Sequence, residues 1–307
     1  MSISRGEFLR SLNGIAEAIA LEPLAQGATR TLVPPGLFVL RRGILIASLI
    51  ALETFVRDRT AEALRALERW PKSFEDLPER LRTAARFNAL TNLYNFAKLL
   101  KRNNEDYEAE LREEISKMAS GQGTVQQFSK FVAGDYTGNI SDASLKDLLS
   151  CFQVNDCWNS FRYFAADVGI GIPSVQEVVK DTIRKRHRSA HSASYTPTVT
   201  DISDLRSDLL CIAICFDVSV SSSMEQALAF SSEWASGERN WRDGVNLFIG
   251  RPAPAGLRLI KHGTRRALRV VADTAEAKSR IPRAKAGEIA VFVLQDAASR
   301  PVTWDIM

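Results

Sequence analysis

Residues 178–191 contain the side chains of this sequence that are best suited to acid–base and phosphate chemistry. The stretch holds His187 and His191, two of the three histidines in the chain. Around them lie five basic side chains and one acid: Lys180, Arg184, Lys185, Arg186, Arg188 and Asp181. Histidine exchanges protons near neutral pH, and the planar fork of arginine can bind two phosphate oxygens. These residue types suit the cleavage of a phosphodiester.

A helix is predicted to position these side chains. Upstream of them, apolar residues recur at intervals of three and four from Val175 to Ile183, which is typical of an amphipathic helix. Arg186 follows Val175 by eleven residues, and His187 and His191 follow Ile183 at intervals of four. We therefore expect the arginine and both histidines on the buried side, where charge needs partners. The alternative is a basic helix end whose cations oppose the helix dipole.

The six residues from Arg186 to His191, RHRSAH, resemble the arginine-x4-histidine motif of the HEPN ribonuclease superfamily. In that family a polar residue usually follows the arginine and a small apolar one often precedes the histidine, and His187 and Ala190 match these places. The resemblance is closest to the RiboL-PSP type of HEPN domain and extends over about residues 37–234. It implies an antiparallel helical bundle that cleaves RNA without a metal and acts as a homodimer.

Metal-free RNA cleavage needs a base, an acid and a fixed cation. The resemblance assigns Arg186 to the phosphate and His191 to proton transfer, and His187 could donate a second proton or orient the pair. Residues 186 and 191 are about 140° apart on an ideal helix, so joint action requires the helix to end nearby or the arginine to reach around it. Glu53 either pairs with Arg57 or orients the active-site arginine, as an early-helix acid often does in HEPN domains.

Two other function classes stay open. One is a catalytically silent HEPN-like domain that binds RNA or acts as a scaffold. The other is a helical interaction partner, such as the antitoxin of a toxin–antitoxin pair; an active enzyme could itself be a toxin or a phage-defence effector. The four cysteines, Cys151, Cys157, Cys211 and Cys215, lack zinc-finger spacing and are predicted to be reduced, with Cys211 and Cys215 buried. We predict no metal and no cofactor.

The composition indicates a soluble globular protein. Of the 307 residues, 45% are hydrophobic and 25% are charged, both ordinary proportions. The most apolar run covers residues 44–52, which is far shorter than the roughly 20 residues that a membrane span requires. The N-terminus lacks the pattern of a signal peptide. These features predict a cytoplasmic protein that does not contact the membrane.

The predicted fold is mainly α, with a small β-rich module at the C-terminus. Residues 1–36 form an N-terminal helix and linker, residues 37–237 a HEPN-like antiparallel helical bundle with extra helices, and residues 238–307 a basic module. Helices are predicted at 5–21, 37–70, 75–101, 104–119, 124–132, 141–154, 157–168, 174–191 and 201–234. Strands are predicted at 245–249, 257–260, 268–272, 289–294 and 302–305, as a small barrel or curled sheet.

Positive charge is concentrated in the C-terminal module. From Arg239 onward the chain carries 13 Lys and Arg against 6 Asp and Glu, a net charge of +7, whereas the whole chain has +4. Such segregation indicates either a surface for a polyanion or a surface kept soluble by its charge. The predicted nucleic-acid contacts lie on the motif helix and in the module: Arg184, Lys185, Arg188, Arg265, Arg266 and Arg269.

Overall fold

A computed structural model describes residues 2–23, 34–120, 126–134, 140–264 and 267–307. The chain is mainly helical and carries a mixed sheet at its C-terminal end. The helices are α1 Ile3–Ala20, α2 Pro35–Leu67, α3 Glu79–Thr83, α4 Ala89–Arg102, α5 Glu108–Ala119, α6 Asp142–Cys151, α7 Cys157–Asp167, α8 Val175–His191, α9 Val199–Ser203, α10 Leu205–Ala229, α11 Ser231–Ala235 and α12 Thr274–Ser279. The strands are β1 Val245–Ala253, β2 Gly256–Lys261, β3 Arg269–Val271, β4 Ile289–Gln295 and β5 Pro301–Ile306.

The helix α10 lies at the centre of the helical layer. It packs against α2, α8 and the sheet, and almost every side chain along it is buried. A helix that is surrounded in this way has no polar face, so its sequence lacks the alternation between apolar and polar residues that a surface helix shows. Residues 211–220 are rich in β-branched side chains, which also favour strands, yet they form the middle of this helix.

The long helix α2 forms a hairpin with α1 and packs against α8 on another side. The loop that follows α8 is attached to the N-terminal part of α2. Arg42 donates through Nε to the carbonyl of Tyr195 at 2.8 Å, and Arg41 donates through Nη1 to the carbonyl of Pro197 at 2.8 Å. These contacts position the C-terminal end of α8, which carries the predicted motif.

The five predicted strands are confirmed as an open sheet rather than a closed barrel. The strand order is β3-β2-β1-β4-β5, and β1 pairs with β4 in parallel while the other neighbours are antiparallel. Side chains alternate between the two faces, as the pleat requires. Leu247 and Val291 join the large helical core, whereas Phe248 and Phe292 pack in a smaller cluster with Ala277 of α12.

A buried ionic network connects the sheet to three helices. Asp217 of α10 is fully buried and accepts hydrogen bonds from Nε of Arg5 at 2.6 Å, Nε of Arg59 at 2.6 Å and Nε1 of Trp304 at 2.8 Å. Nη1 of Arg5 also donates to Asp305 at 2.8 Å. Burial raises the pKa of Asp217, but the guanidinium groups of Arg59 and Arg5 outweigh it and lower that pKa to about 2. The predicted N-terminal, helical and β-rich segments therefore share one core.

Several helix predictions are wrong in detail. The helix predicted at 75–101 is interrupted by a π-helical turn at Ala84–Asn88 between α3 and α4. The helix predicted at 124–132 is replaced by a 3-10 turn at Lys130–Ala133, preceded by irregular chain at 126–129, and residues 124–125 lie outside the described ranges. The helix predicted at 201–234 consists of α9, α10 and α11. Most of the predicted linker also falls on residues that the structure does not describe.

Two helical stretches are long and apolar enough to cross a membrane by length and composition alone. They are Val199–Ala229, whose most apolar window is 89% buried, and Pro35–Leu67, whose window is 39% buried. The first is the core of the protein, since α10 is enclosed by other elements. The partial burial of α2 leaves part of its apolar surface uncovered by the described chain.

Candidate functional site

The helix α8 begins and ends where the sequence predicts. The hydroxyl of Ser174 caps its first turn by accepting from the backbone N–H of Glu177 at 3.2 Å, and the helix ends at His191. The motif therefore lies wholly within the last two turns. Because the helix is continuous through it, Arg186 and His191 leave the axis about 140° apart. One chain does not bring these two side chains together on a single face.

Both histidines are exposed, which corrects the expectation that they lie on the buried side. The buried row of α8 runs through Val175, Val179, Thr182 and Ser189 and passes to one side of them. The rings of His187 and His191 lie one turn apart and are tilted against each other, with centroids 4.7 Å apart and planes at 50°. Two titratable side chains thus face solvent together at the end of the helix.

Arg186 lies on the other flank, toward the core. Its side chain is half-buried, and its Nε is fully buried with no hydrogen-bond partner among the described residues. A buried donor of a charged group that is left unsatisfied costs more than an ordinary hydrogen bond contributes. Among the residues of the predicted site, Arg186 is thus the one whose buried polar atom has no partner in the described fold.

The basic residues of the motif helix line a polar pocket of about 410 Å³ between α8 and the loop that follows it. Lys185 approaches Asp181 at 2.8 Å and Asp201 at 3.5 Å, and Arg184 pairs with Asp181. The guanidinium of Arg188 lies over the ring of a tyrosine in the loop, 4.2 Å from its centroid. The structure thus brings together the three predicted nucleic-acid contacts of α8, with two acids among them.

The loop and the first turn of α9 supply pocket residues that the sequence prediction missed, namely Tyr195, Thr198 and Asp201. The carboxylate of Asp201 accepts from the backbone N–H of Thr198 at 2.8 Å and fixes the start of α9. The spacing of threonine and aspartate three residues apart is a capping-box pattern that could have indicated a helix start here. Nothing in the local sequence indicates that Tyr195 would contact Arg188.

Glu53 is buried in α2 and accepts a hydrogen bond from the backbone N–H of Ile140 at 3.0 Å. This contact anchors the segment that leads into α6. No hydrogen bond joins Glu53 to Arg186 in the part of the chain that the structure describes. The two interpretations of Glu53, as a partner of Arg57 or as an acid that orients Arg186, stay predictions.

The predicted contacts of the C-terminal module do not form one described cluster. Arg265 and Arg266 lie outside the described residues, and Arg269 is exposed at the start of the edge strand β3. Other cations of the module are paired: Lys278 contacts Asp305 at 2.8 Å, and Arg242 contacts an aspartate of α7 at 3.0 Å. Some cations of the module are therefore already paired with carboxylates, one of which, Asp167, lies outside the module.

Burial limits the reactivity of the four cysteines, which are the other side chains that could bind a metal. The four cysteines are buried free thiols, and burial raises the pKa of Cys151 and of Cys157 to about 11. Among the described residues, no group of three or more His, Cys, Asp and Glu side chains is arranged to hold a metal ion. Comparison with known proteins finds no matching family model, no similar curated protein and no similar solved structure.

Proposed function

We propose that this chain is a metal-independent endoribonuclease whose active site is the exposed C-terminal end of α8. The observation that carries the proposal is the pair of solvent-exposed histidines, His187 and His191, with ring centroids 4.7 Å apart. Such a pair can supply both a general base and a general acid. The polar pocket of α8 lies on the same helix end. Its three cations outnumber its two acids, which favours an anionic substrate.

In this proposal the 2′-hydroxyl of RNA attacks the adjacent phosphorus, and one histidine accepts the hydroxyl proton. The other histidine donates a proton to the departing 5′-oxygen. The products are a 2′,3′-cyclic phosphate and a 5′-hydroxyl. Arg184 and Arg188 bind flanking phosphates, and Arg186 stabilises the charge that develops at the reacting phosphate.

The proposal includes a homodimer. Arg186 and His191 diverge by about 140° on one helix, so a single chain presents them on different flanks. A second copy related by twofold symmetry would add an identical set of cationic and titratable groups at a shared interface. Light scattering at micromolar concentration should show a dimer, and a fully active monomer would remove this part of the proposal.

The test is incubation of the purified chain with single-stranded RNA in EDTA, followed by analysis of the product ends. Cleavage should persist without free metal and should leave cyclic phosphates. DNA of the same sequence should stay intact because it lacks the 2′-hydroxyl. Cleavage of DNA, or cleavage that stops in EDTA, would contradict the mechanism.

A second candidate is a silent HEPN-like domain that binds RNA or a partner protein without cleaving it. The half-buried position of Arg186 and the pairing of Arg184 and Lys185 with Asp181 favour it. An antitoxin-type partner belongs to the same inactive class. Expression of the chain alone separates the two candidates, because an active ribonuclease should impair growth and an inactive protein should not.

A further inference from the structure

An open apolar groove runs between α1 and α2, on a surface separate from the motif. It has a volume of about 640 Å³, and buried aromatic and aliphatic side chains such as Phe8, Ile44 and Phe55 form its floor. Ile50 on its rim is 49% exposed. Apolar surface that is concave and exposed is a common property of binding grooves.

The length of the groove matches a helix rather than a small molecule. Along α2 it extends from Leu40 to Asp58, and a rise of 1.5 Å per residue makes this about 27 Å. Only 39% of the most apolar window of α2 is buried in the described chain. A partner helix of about five turns would cover this face.

Two glycines line the groove at positions where packing within the described chain does not require glycine. Gly14 and Gly43 lie inside α1 and α2, where glycine weakens a helix relative to alanine. A Cβ at either position would meet no atom within 4 Å. Internal packing therefore does not require them, whereas a second backbone that approaches closely would.

One end of the groove is acidic. Glu7 and Asp58 line it. Glu7 lies 3.7 Å from the exposed Arg10, whereas the carboxylate of Asp58 has no hydrogen bond or ion pair within the described chain. Burial raises the pKa of Asp58, and the carboxylates of Glu7 and Glu62 raise it further, against opposing effects of Arg57 and Lys130. A cation placed here would relieve this repulsion.

We propose that the groove binds an amphipathic helix of a partner protein, with an apolar stripe on the floor and a lysine or arginine at the end that meets Glu7 and Asp58. Helix-in-groove recognition needs these two features, an apolar channel and an end that fixes orientation. The acidic end disfavours a fatty acid or an anionic bilayer. A second copy is disfavoured because two concave surfaces of the same shape leave a gap between them and would bring the carboxylates of Glu7 and Asp58 from both copies to one interface.

The first experiment selects binders for the full chain from a displayed library of 18-residue amphipathic helices with randomised terminal charges. Selected peptides should carry a lysine or arginine at one end and an apolar stripe. Failure to select any helix, or selection of peptides with acidic ends, would overturn the proposal.

Matched variants then locate the binding of a selected peptide, measured by fluorescence anisotropy. Gly14→Leu should weaken binding at least about tenfold, whereas Gly6→Leu adds the same side chain to α1 outside the groove and should not. A Cβ at Gly6 also meets no atom within 4 Å, so both variants should fold, which circular dichroism would check. Equal binding by the two variants would overturn the proposal.

A charge exchange provides a second variant that does not depend on filling the groove. Asp58→Lys should lose the peptide with a basic end and bind a version of it with a glutamate there. Unchanged preference would contradict the assigned orientation. Dimerisation of the chain without peptide, blocked by Gly14→Leu, would assign the groove to a second copy and also overturn the proposal.

Discussion

A general acid or base must be accessible to its substrate. His187 and His191 meet this condition because they are exposed, whereas other polar groups of the chain are buried. Asp217 is fully buried between two arginines, and Glu53 is buried against a backbone N–H, so each already has a structural contact. The two histidines contact each other and face solvent. At the scale of single residues, the proposed ribonuclease mechanism therefore uses these two histidines for proton transfer.

Replacement of His191 tests this assignment. His191→Ala should lower the RNA cleavage rate by about 10²–10⁴-fold, because a positioned acid or base contributes that much. Arg186→Lys should also reduce the rate, since an ammonium group does not reproduce the guanidinium fork. His262→Ala is the control, because this third histidine lies beside Asp167 at 3.4 Å, away from the motif. Equal losses in the three folded variants would contradict the assignment.

The carboxyl group of Asp208, close to Lys185 of the polar pocket, makes a pH-dependent contribution to the free energy of unfolding. Burial raises the pKa of Asp208 from 3.8 to about 6; Lys185 opposes this shift, and Asp204 and Asp181 add to it. Because the folded chain holds this proton more tightly than the unfolded chain, ionisation destabilises the fold as the pH rises through this range. Asp208→Asn should add about 1–2 kcal/mol at pH about 8, after allowance for screening, and little near pH about 4.

Denaturant unfolding at the two pH values measures this effect, with Asp243→Asn as its control, because Asp243 is exposed and does not contribute to the shift of Asp208. The gain in the free energy of unfolding should appear only at the higher pH and only in Asp208→Asn. A gain of the same size at both values would mean that the side chain acts through packing rather than through its charge.

At the scale of elements, α8 and α2 show how the orientation of a helix determines which of its residues are buried and which are exposed. The row from Val175 to Ser189 packs α8 onto its neighbours, so residues one step away from this row, His187 and His191, remain free for solvent. In α2 the opposite holds, since apolar residues such as Ile50 remain exposed. An exposed apolar face on a long helix is typical of a site that binds a partner.

Helix propensity gives a stability prediction for α2. Gly43→Ala should raise the free energy of unfolding by about 0.5–1 kcal/mol, because alanine favours a helix interior and the added Cβ meets no atom within 4 Å. Gly256→Ala is the contrast, since Gly256 has φ +125° and its Cβ would lie 2.2 Å from the carbonyl oxygen of Val271. Thermal unfolding should show opposite shifts, and a loss of stability in Gly43→Ala would mean that this face packs inside the chain.

At the scale of the whole molecule, the network around Asp217 holds the N-terminal helix, two core helices and the last strand together. Arg5 lies in α1, Arg59 in α2 and Asp217 in α10, while Trp304 and Asp305 both lie in β5. The contacts between these distant segments therefore depend on the buried carboxylate of Asp217. Loss of that charge would leave two arginines without their main partner in a buried setting.

Asp217→Asn should lower the free energy of unfolding by about 3–5 kcal/mol. Because its pKa is lowered to about 2, the contribution of Asp217 is present above its ordinary value of 3.8 and is lost as the pH falls toward 2. Chemical unfolding at neutral pH, with the exposed Asp243→Asn as the reference, measures it. Similar stability of the two variants would show that the network adds nothing to the fold.

The sequence by itself determined the local elements. Short β-like runs separated by Gly and Pro predicted the five strands, and the cap at Ser174 together with apolar spacing predicted α8, because these signals act within a few residues. The motif residues Arg186 and His191 could also be named from sequence, through their resemblance to a family motif.

Only the tertiary structure decided which faces are covered. The exposure of His187 and His191, the pocket made with Tyr195 and the network around Asp217 all depend on contacts between segments far apart in sequence. Helical periodicity predicts that residues share a face, but the neighbours that bury one face and leave another open are set by packing of the whole chain. For the same reason the sequence did not reveal the groove between α1 and α2.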